Sequence, residues 1–188
     1  MLSSTPHTFS FYIGKSTFVN VLCCEQNQTS GDINVMGLSL SDQYQIRKII
    51  GECRQDDILW PNLTAREHLE LFAGIRGVPK HKMAETIQEW LESVDLDEVQ
   101  HSRVSSFSGG MKRRLSVAMS TIGGSKIIVL DEPTTGMDPV NRAEAWELIK
   151  KMKDGRAIIL TTHSMEEADV LCNRIGIVND GVLRCIGS

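Results

Sequence analysis

The sequence predicts an α/β fold: a mostly parallel sheet flanked by helices, with an inserted α-helical lobe. Lys126-Ile127-Ile128-Val129-Leu130 and Ala157-Ile158-Ile159-Leu160-Thr161 are short aliphatic runs of the kind buried on both faces of a parallel sheet. Helical patterns near 141–152 and 164–172 alternate with them and with a further run at 174–178. The lobe is predicted from apolar spacing in 64–77 and 80–94. Leu69, Phe72 and Ile75 share one face of the first helix, and Ile87, Trp90, Leu91 and Val94 one face of the second. One domain is expected, with residues 9–54 and 125–188 as core and 55–124 as the helical lobe.

In chain order, Met1 to Thr8 is polar and turn-prone, lacking the basic start and apolar centre of a secretory signal. Phe9-Ser10-Phe11-Tyr12-Ile13 is either a β-prone strand or a segment joined by alternative splicing or misprediction. Gly31-Asp32-Ile33-Asn34-Val35-Met36-Gly37 reads as a short strand between glycine turns. Thr64 with Glu67 forms a capping box that starts the first lobe helix.

Composition narrows the function classes. The chain has 188 residues, 41% hydrophobic and 23% charged, ordinary usage for a soluble globular domain. A net charge of −4 implies no broad nucleic-acid or anionic-membrane surface. The longest purely aliphatic run, 127–130, is far short of the ~18–20 residues that span a bilayer. Five cysteines without a secretion signal or C-x-x-C spacing point to reduced thiols in a cytosolic compartment.

The chemistry concentrates at predicted strand ends. Asp131 and Glu132 end an aliphatic strand, and ligands of parallel sheets bind just beyond such ends. Asp131 is suited to magnesium, directly or through water, while Glu132, expected to point the other way along the pleat, can orient an attacking water. The alternative is a capped strand end, since Asp, Pro and Gly are also turn residues. Ser108-Gly109-Gly110 reads as a helix start: Ser108 caps, the glycines admit a close partner, and Leu115, Ala118 and Met119 form an apolar stripe. Its free amides suit an anion; otherwise it is a capped helix with a solvated Lys112-Arg113-Arg114 face. His163 ends its strand where Asp131 ends the earlier one, within reach of the same ligand.

Together these residues resemble the nucleotide-binding domain of ATP-binding cassette (ABC) transporters over nearly the whole chain. Phe107-Ser108-Gly109-Gly110-Met111 is similar to the signature motif, Asp131-Glu132 to the Walker B end with its catalytic glutamate, and Met137-Asp138-Pro139 to the D-loop. His163 resembles the switch histidine and Gln55 the Q-loop glutamine. The wording of FSGGMKRRLS, TTGMDP and the carboxyl end resembles the eukaryotic A subfamily, whose members are mostly lipid-linked transporters. Gly14-Lys15-Ser16-Thr17 is similar to the second half of the phosphate loop, with Lys15 reaching the β- and γ-phosphates and Ser16 ligating magnesium.

The resemblance implies a P-loop NTPase-like sheet and ATP with Mg2+ as ligands. Gly14, Lys15, Ser16, Thr17, Ser108, Gly109 and Gly110 would hold nucleotide, Ser16, Gln55 and Asp131 the metal, and Glu132, His163 and Gln55 would act in hydrolysis. It further implies a second cassette in a head-to-tail dimer, whose Ser108 to Gly110 clamp the facing γ-phosphate, and transmembrane partner domains that place the chain on the cytoplasmic face of a membrane. Trp60-Pro61-Asn62-Leu63 falls where cassettes receive the coupling helix of their membrane domain; lobe packing is the other reading.

Two departures stand out. Phe9 and Tyr12 occupy phosphate-loop positions where the family has glycines that supply positive φ. Only thirteen residues precede Gly14, so the amino-terminal strands of the usual cassette are expected to be missing. A degenerate, noncatalytic cassette and a gene-model fragment are therefore the alternative readings.

Overall fold

The computed structural model describes residues 15–187. The expectations for residues 9–13 and for Gly14 lie outside the described residues, as does the side chain of Lys15. From the amino end the elements are helix α1 (Lys15–Leu22), a hairpin of β1 (Asn34–Val35) and β2 (Leu38–Ser39), α2 (Gln43–Ile49) and β3 (Ile50–Cys53). Helices α3 (Ala65–Ile75) and α4 (Lys80–Ser93) follow, then a 3-10 turn (Val104–Ser106), α5 (Gly109–Thr121) and β4 (Ile127–Asp131). Helix α6 (Pro139–Met152), β5 (Ala157–Thr161), α7 (Met165–Leu171), β6 (Ile175–Asn179) and β7 (Val182–Gly187) complete the order.

Strands β3, β4 and β5 form a parallel sheet with β4 in the middle. Its two faces feed different cores, which is why 127–130 is aliphatic without alternation. Ile128 and Leu130 pack into the larger cluster with Leu69, Leu91, Leu115 and Ile149. Ile127 and Val129 pack with Val19 and Leu22 of α1 and Ile46 of α2. The register pairs Cys53 with Leu130 and Asp131 with Thr161, so all three strands end at one level. Gln55, Glu132 and His163 lie one or two residues beyond those ends.

A close approach holds β3 against α5. A Cβ at Gly51 would stand 1.9 Å from the carbonyl oxygen of Ser120, so only glycine fits there.

The helical expectations for 64–77 and 80–94 appear as α3 and α4. Thr64 Oγ1 accepts from the Glu67 amide (3.2 Å) while Glu67 Oε2 accepts from the Thr64 amide (2.7 Å), completing the capping box. Leu69, Ile87, Leu91 and Val94 are buried as expected. Ile75, the last residue of α3, is 70% exposed.

Two further readings change. The run at 174–178 does not join the parallel sheet as described; β6 pairs antiparallel with β7 in a separate two-stranded sheet. The turn at Asp180 (φ +52) and Gly181 (φ +73) has the paired positive φ of a tight hairpin. The glycine-flanked strand at 31–37 is half of the β1–β2 hairpin, turned by Met36 (φ +52) and Gly37 (φ +87).

Candidate functional site

Where β4 ends, the chain turns sharply. Asp131 is the last strand residue, and Glu132 has φ +49, a left-handed conformation uncommon outside glycine. Glu132 therefore does not follow the pleat; the turn, not strand alternation, aims its carboxylate. Its amide donates to Thr161 O (3.0 Å) and lies 3.1 Å from Thr161 Oγ1, which anchors the turn to β5. Thr161 Oγ1 also donates to Asp131 Oδ1.

The two catalytic candidates meet directly. His163 Nδ1 lies 2.5 Å from Glu132 Oε2, and Thr135 Oγ1 donates to the same oxygen at 2.8 Å. With Glu132 ionised the imidazole proton must sit on Nδ1. The side chain of Glu132 is 12% exposed and that of His163 62%, so a shielded carboxylate faces an accessible ring.

Beside them lies a cleft of about 260 Å³, lined by Gln55, Ser108, Gly109, Gly110, Glu132 and the turn from Pro133 to Asp138. The structure thus gathers Gln55, the signature residues and Glu132 around one opening. Among the described residues Ser16, Thr17, Asp131 and His163 do not line it. Ser16 and Thr17 stand exposed in the first turn of α1.

Ser108 caps α5, its hydroxyl accepting from the Met111 amide at 3.2 Å. The two signature glycines have different surroundings. A Cβ at Gly110 would fall 2.2 Å from Asn141 Oδ1, whereas at Gly109 nothing lies within 4 Å. Gly110 permits α5 to approach α6 within the chain, and Gly109 faces open space. Asp138 caps α6 by accepting from Val140 (3.0 Å) and Asn141 (3.2 Å) amides. The Asn141 side-chain bond, with these amides, holds the Asp138 carboxyl below its usual range.

Three site-shaping side chains escaped the sequence reading. Arg113, expected on a solvated face, is 4% exposed and donates to groups of the Gln55 and Glu132 loops. Glu167, 1% exposed, accepts from Thr134 Oγ1 (2.7 Å) and Trp146 Nε1 (3.1 Å), joining the loop after Glu132 to α6 and α7. His68 has no solvent exposure; its Nε2 accepts from the Trp60 amide (2.9 Å) and its Nδ1 donates to Thr64 O (2.7 Å). Burial lowers its pKa, keeping it neutral and able to make both bonds. Trp60 stacks near it at 5.5 Å between centroids, 45% exposed, with Ile58 63% exposed nearby in sequence. The only sequence signal for these three was a charge or imidazole within a helical apolar pattern.

For a metal, no cluster of three or more His, Cys, Asp or Glu exists among the described residues. Asp131, Ser16 and Gln55 offer one carboxylate and two neutral oxygens. That hard-oxygen set fits a magnesium ion that shares its coordination with phosphate and water, as opposed to an all-protein cage. The cysteines are not candidates: Cys23, Cys24 and Cys53 are buried and free, and burial pushes the Cys53 thiol up to about 11.

Comparison with known proteins agrees with this geometry. The family model described as ABC transporter matches residues 13–135, more than half of the chain. ABC transporter A family member 2 of Arabidopsis thaliana is 52% identical over 178 residues, covering 93% of this chain and 18% of that protein. A family member 8 of Dictyostelium discoideum is 46% identical over 176 residues, covering 93% and 21% respectively. The chain thus spans about a fifth of the length of these relatives. Among solved structures, an ATP-binding subunit of an ABC transporter superposes with a TM-score of 0.84 at 24% identity, over 97% of this chain and 78% of that one. A dimeric ATP-binding cassette in a post-hydrolysis state, bound to ADP and Pi, gives the same TM-score over 100% of this chain and 86% of that one. The expected P-loop NTPase-like α/β fold is the one these structures share, and by the family match the chain belongs to the ABC transporter family.

Proposed function

We propose that this chain is an ATP-hydrolysing cassette that powers transport through membrane domains, acting as a head-to-tail pair with a second cassette. The observation that carries the reading is the 2.5 Å contact between His163 and Glu132 at the end of β4, beside a cleft that also receives Gln55 and Ser108 to Gly110. Phosphoryl transfer to water needs an oriented water and dispersed charge more than covalent chemistry. Glu132 accepts a proton from or orients that water, and His163 with Thr135 holds its carboxylate in place. Lys15 and Ser16 hold the phosphates of the same cassette. Gly109, facing open space, meets the γ-phosphate of the facing one. Asp131, Ser16 and Gln55 would hold Mg2+, which neutralises phosphate charge when bound.

In this reading α3, α4 and α5 form a helical lobe packed against one face of the sheet. The exposed Ile58 and Trp60, fixed from behind by His68, receive the membrane domain on the cytoplasmic face. Resemblance to the A subfamily makes lipid-like molecules the proposed cargo.

Mg-ATP turnover by the 188-residue chain tests the reading, with Gly109→Asp as the second arm. That variant places charge and bulk in open space at a helix end. It should leave nucleotide binding by the single chain unchanged and abolish ATP-driven dimerisation in light scattering. Equal dimer fractions for variant and parent would overturn the trans role.

A second reading, a noncatalytic cassette, is favoured by Phe9 and Tyr12 at phosphate-loop positions that need positive φ. Each such strain costs on the order of 1–3 kcal/mol. Titration calorimetry on parent and Phe9→Gly/Tyr12→Gly separates the two: tight parental binding that the substitutions leave unchanged removes the second reading.

A further inference from the structure

Lys112, Arg113 and Arg114 are consecutive on α5, yet Arg113 is the buried one, at 4% exposure. Its Nε donates to Pro133 O at 2.8 Å, and its Nη2 to Asp131 O at 3.3 Å. Its Nη1 donates to Arg54 O, to Gln55 O at 3.2 Å and to Asp57 Oδ1 at 3.3 Å. Two of these acceptors are the residues on either side of Glu132. Two others are the carbonyls of Gln55 and of the residue before it. One guanidinium therefore joins the helix that begins at the signature to both loops that enter the cleft.

We propose that Arg113 is a positioning residue: it borders the cleft but spends its donors on the Gln55 loop and the Glu132 turn, holding both in register with the amino end of α5. A buried cation with a single carboxylate partner is a poor device for stability alone, since an apolar side chain of similar volume is often as good or better. Its planar fork is instead matched to several acceptors lying in different directions. Lysine keeps the charge but presents a compact ammonium that cannot span them.

The kinetic half of this inference rests on the ATPase reading; the structural half does not. The 188-residue chain is compared with Arg113→Met, Arg113→Lys, Gln55→Ala and Arg113→Met/Gln55→Ala. In hydrogen exchange without nucleotide, amides of 54–58 and 131–136 should exchange roughly tenfold faster or more in both Arg113 variants, as expected for loss of charge-assisted bonds. Amides of α3 and α4 should be unchanged. In Mg-ATP turnover, Arg113→Met should lower kcat ~100-fold, as for a misplacement of about 1 Å, with KM little changed. The double variant should lie within roughly twofold of the slower single one, because both substitutions disable the same placement. Parental exchange in the two loops, acceleration spread evenly over the chain, or independent multiplication of the kinetic effects would each overturn the proposal. If the parent shows no turnover, the ATPase reading fails, and the exchange pattern alone decides the role of Arg113. If Arg113→Met does not fold, Arg113→Lys carries both measurements.

Discussion

In the α3–α4 pair, Ala65, Leu69, Ala73, Ile87 and Leu91 are each at most 1% exposed and belong to one apolar cluster, with the capping box, the buried His68 and an Arg66–Gln88 bond as polar contacts beside it. At the ends of β4 and β5, the buried or half-buried groups are Asp131, Glu132, Thr134, Thr161, Arg113 and Glu167, satisfied by bonds that cross between layers. The first region is stabilised mainly by area removed from water, with a small number of side-chain bonds beside it. The second is organised by partners 18 to 59 residues apart in sequence. The helical pair should therefore suffer more from loss of volume than from loss of a cap. The strand ends should behave in the opposite way.

Glu132→Gln tests the strand-end half most severely. Gln is nearly isosteric but cannot accept a proton, so turnover should fall ~10²–10⁴-fold, the typical weight of a general base. Nucleotide retention and melting temperature should stay close to parental. Turnover and retention measured on one preparation check it, and parental hydrolysis would remove Glu132 from the chemistry.

Leu91→Ala removes a side chain with no exposed surface and should destabilise the chain by about 2–5 kcal/mol, read by urea denaturation. If exchange at 131–136 rises no more than the global loss requires, the two regions are separable as described. Preferential opening of those residues would show that the lobe core supports the strand ends directly.

A smaller effect is expected from Thr64→Ala. It deletes half of the capping box and should cost about 1 kcal/mol, with exchange rising first in the opening turn of α3. A loss above that for Leu91→Ala would contradict the view that volume dominates in this region.

The smallest expected effect is the pH response of His68, a buried imidazole of α3. Burial lowers its folded pKa, against the opposing pull of the Thr64 carbonyl and Glu67. The unfolded chain therefore binds a proton more readily, and stability is lost as pH falls through about 6.5 toward the folded value. Above that range the contribution is fully present. Denaturation of parent and His68→Asn between pH 7.5 and 5.5 isolates it, because the asparagine variant lacks the titration. Parallel pH curves for the two would show that His68 is protonated equally in both states.

Much of the architecture was legible because its causes are local. Aliphatic runs without alternation marked β4 and β5, since a strand covered on both faces needs no polar side. Ser108 and Thr64 announced two helix starts because a cap is satisfied within three residues. Asp131, Glu132 and His163 were legible as neighbours because parallel strands deliver their carboxyl ends to one level.

Arg113 could not be distinguished from Lys112 or Arg114 by composition. Which of three consecutive cations turns inward depends on where Arg54, Gln55, Asp131 and Pro133 leave carbonyl groups, and that is settled when α5 packs against β3 at Gly51. Glu132 was read as the next residue of a pleat, but it makes a left-handed turn that is anchored to Thr161 on the neighbouring strand. The segment 174–178 carried a strand signal that was correct in kind, and only its antiparallel pairing with β7 separates it from β3 to β5. Patterns repeating within four residues are encoded where they act. A buried polar group beyond a strand end must find its partner from another layer, so its role exists only once the layers have met.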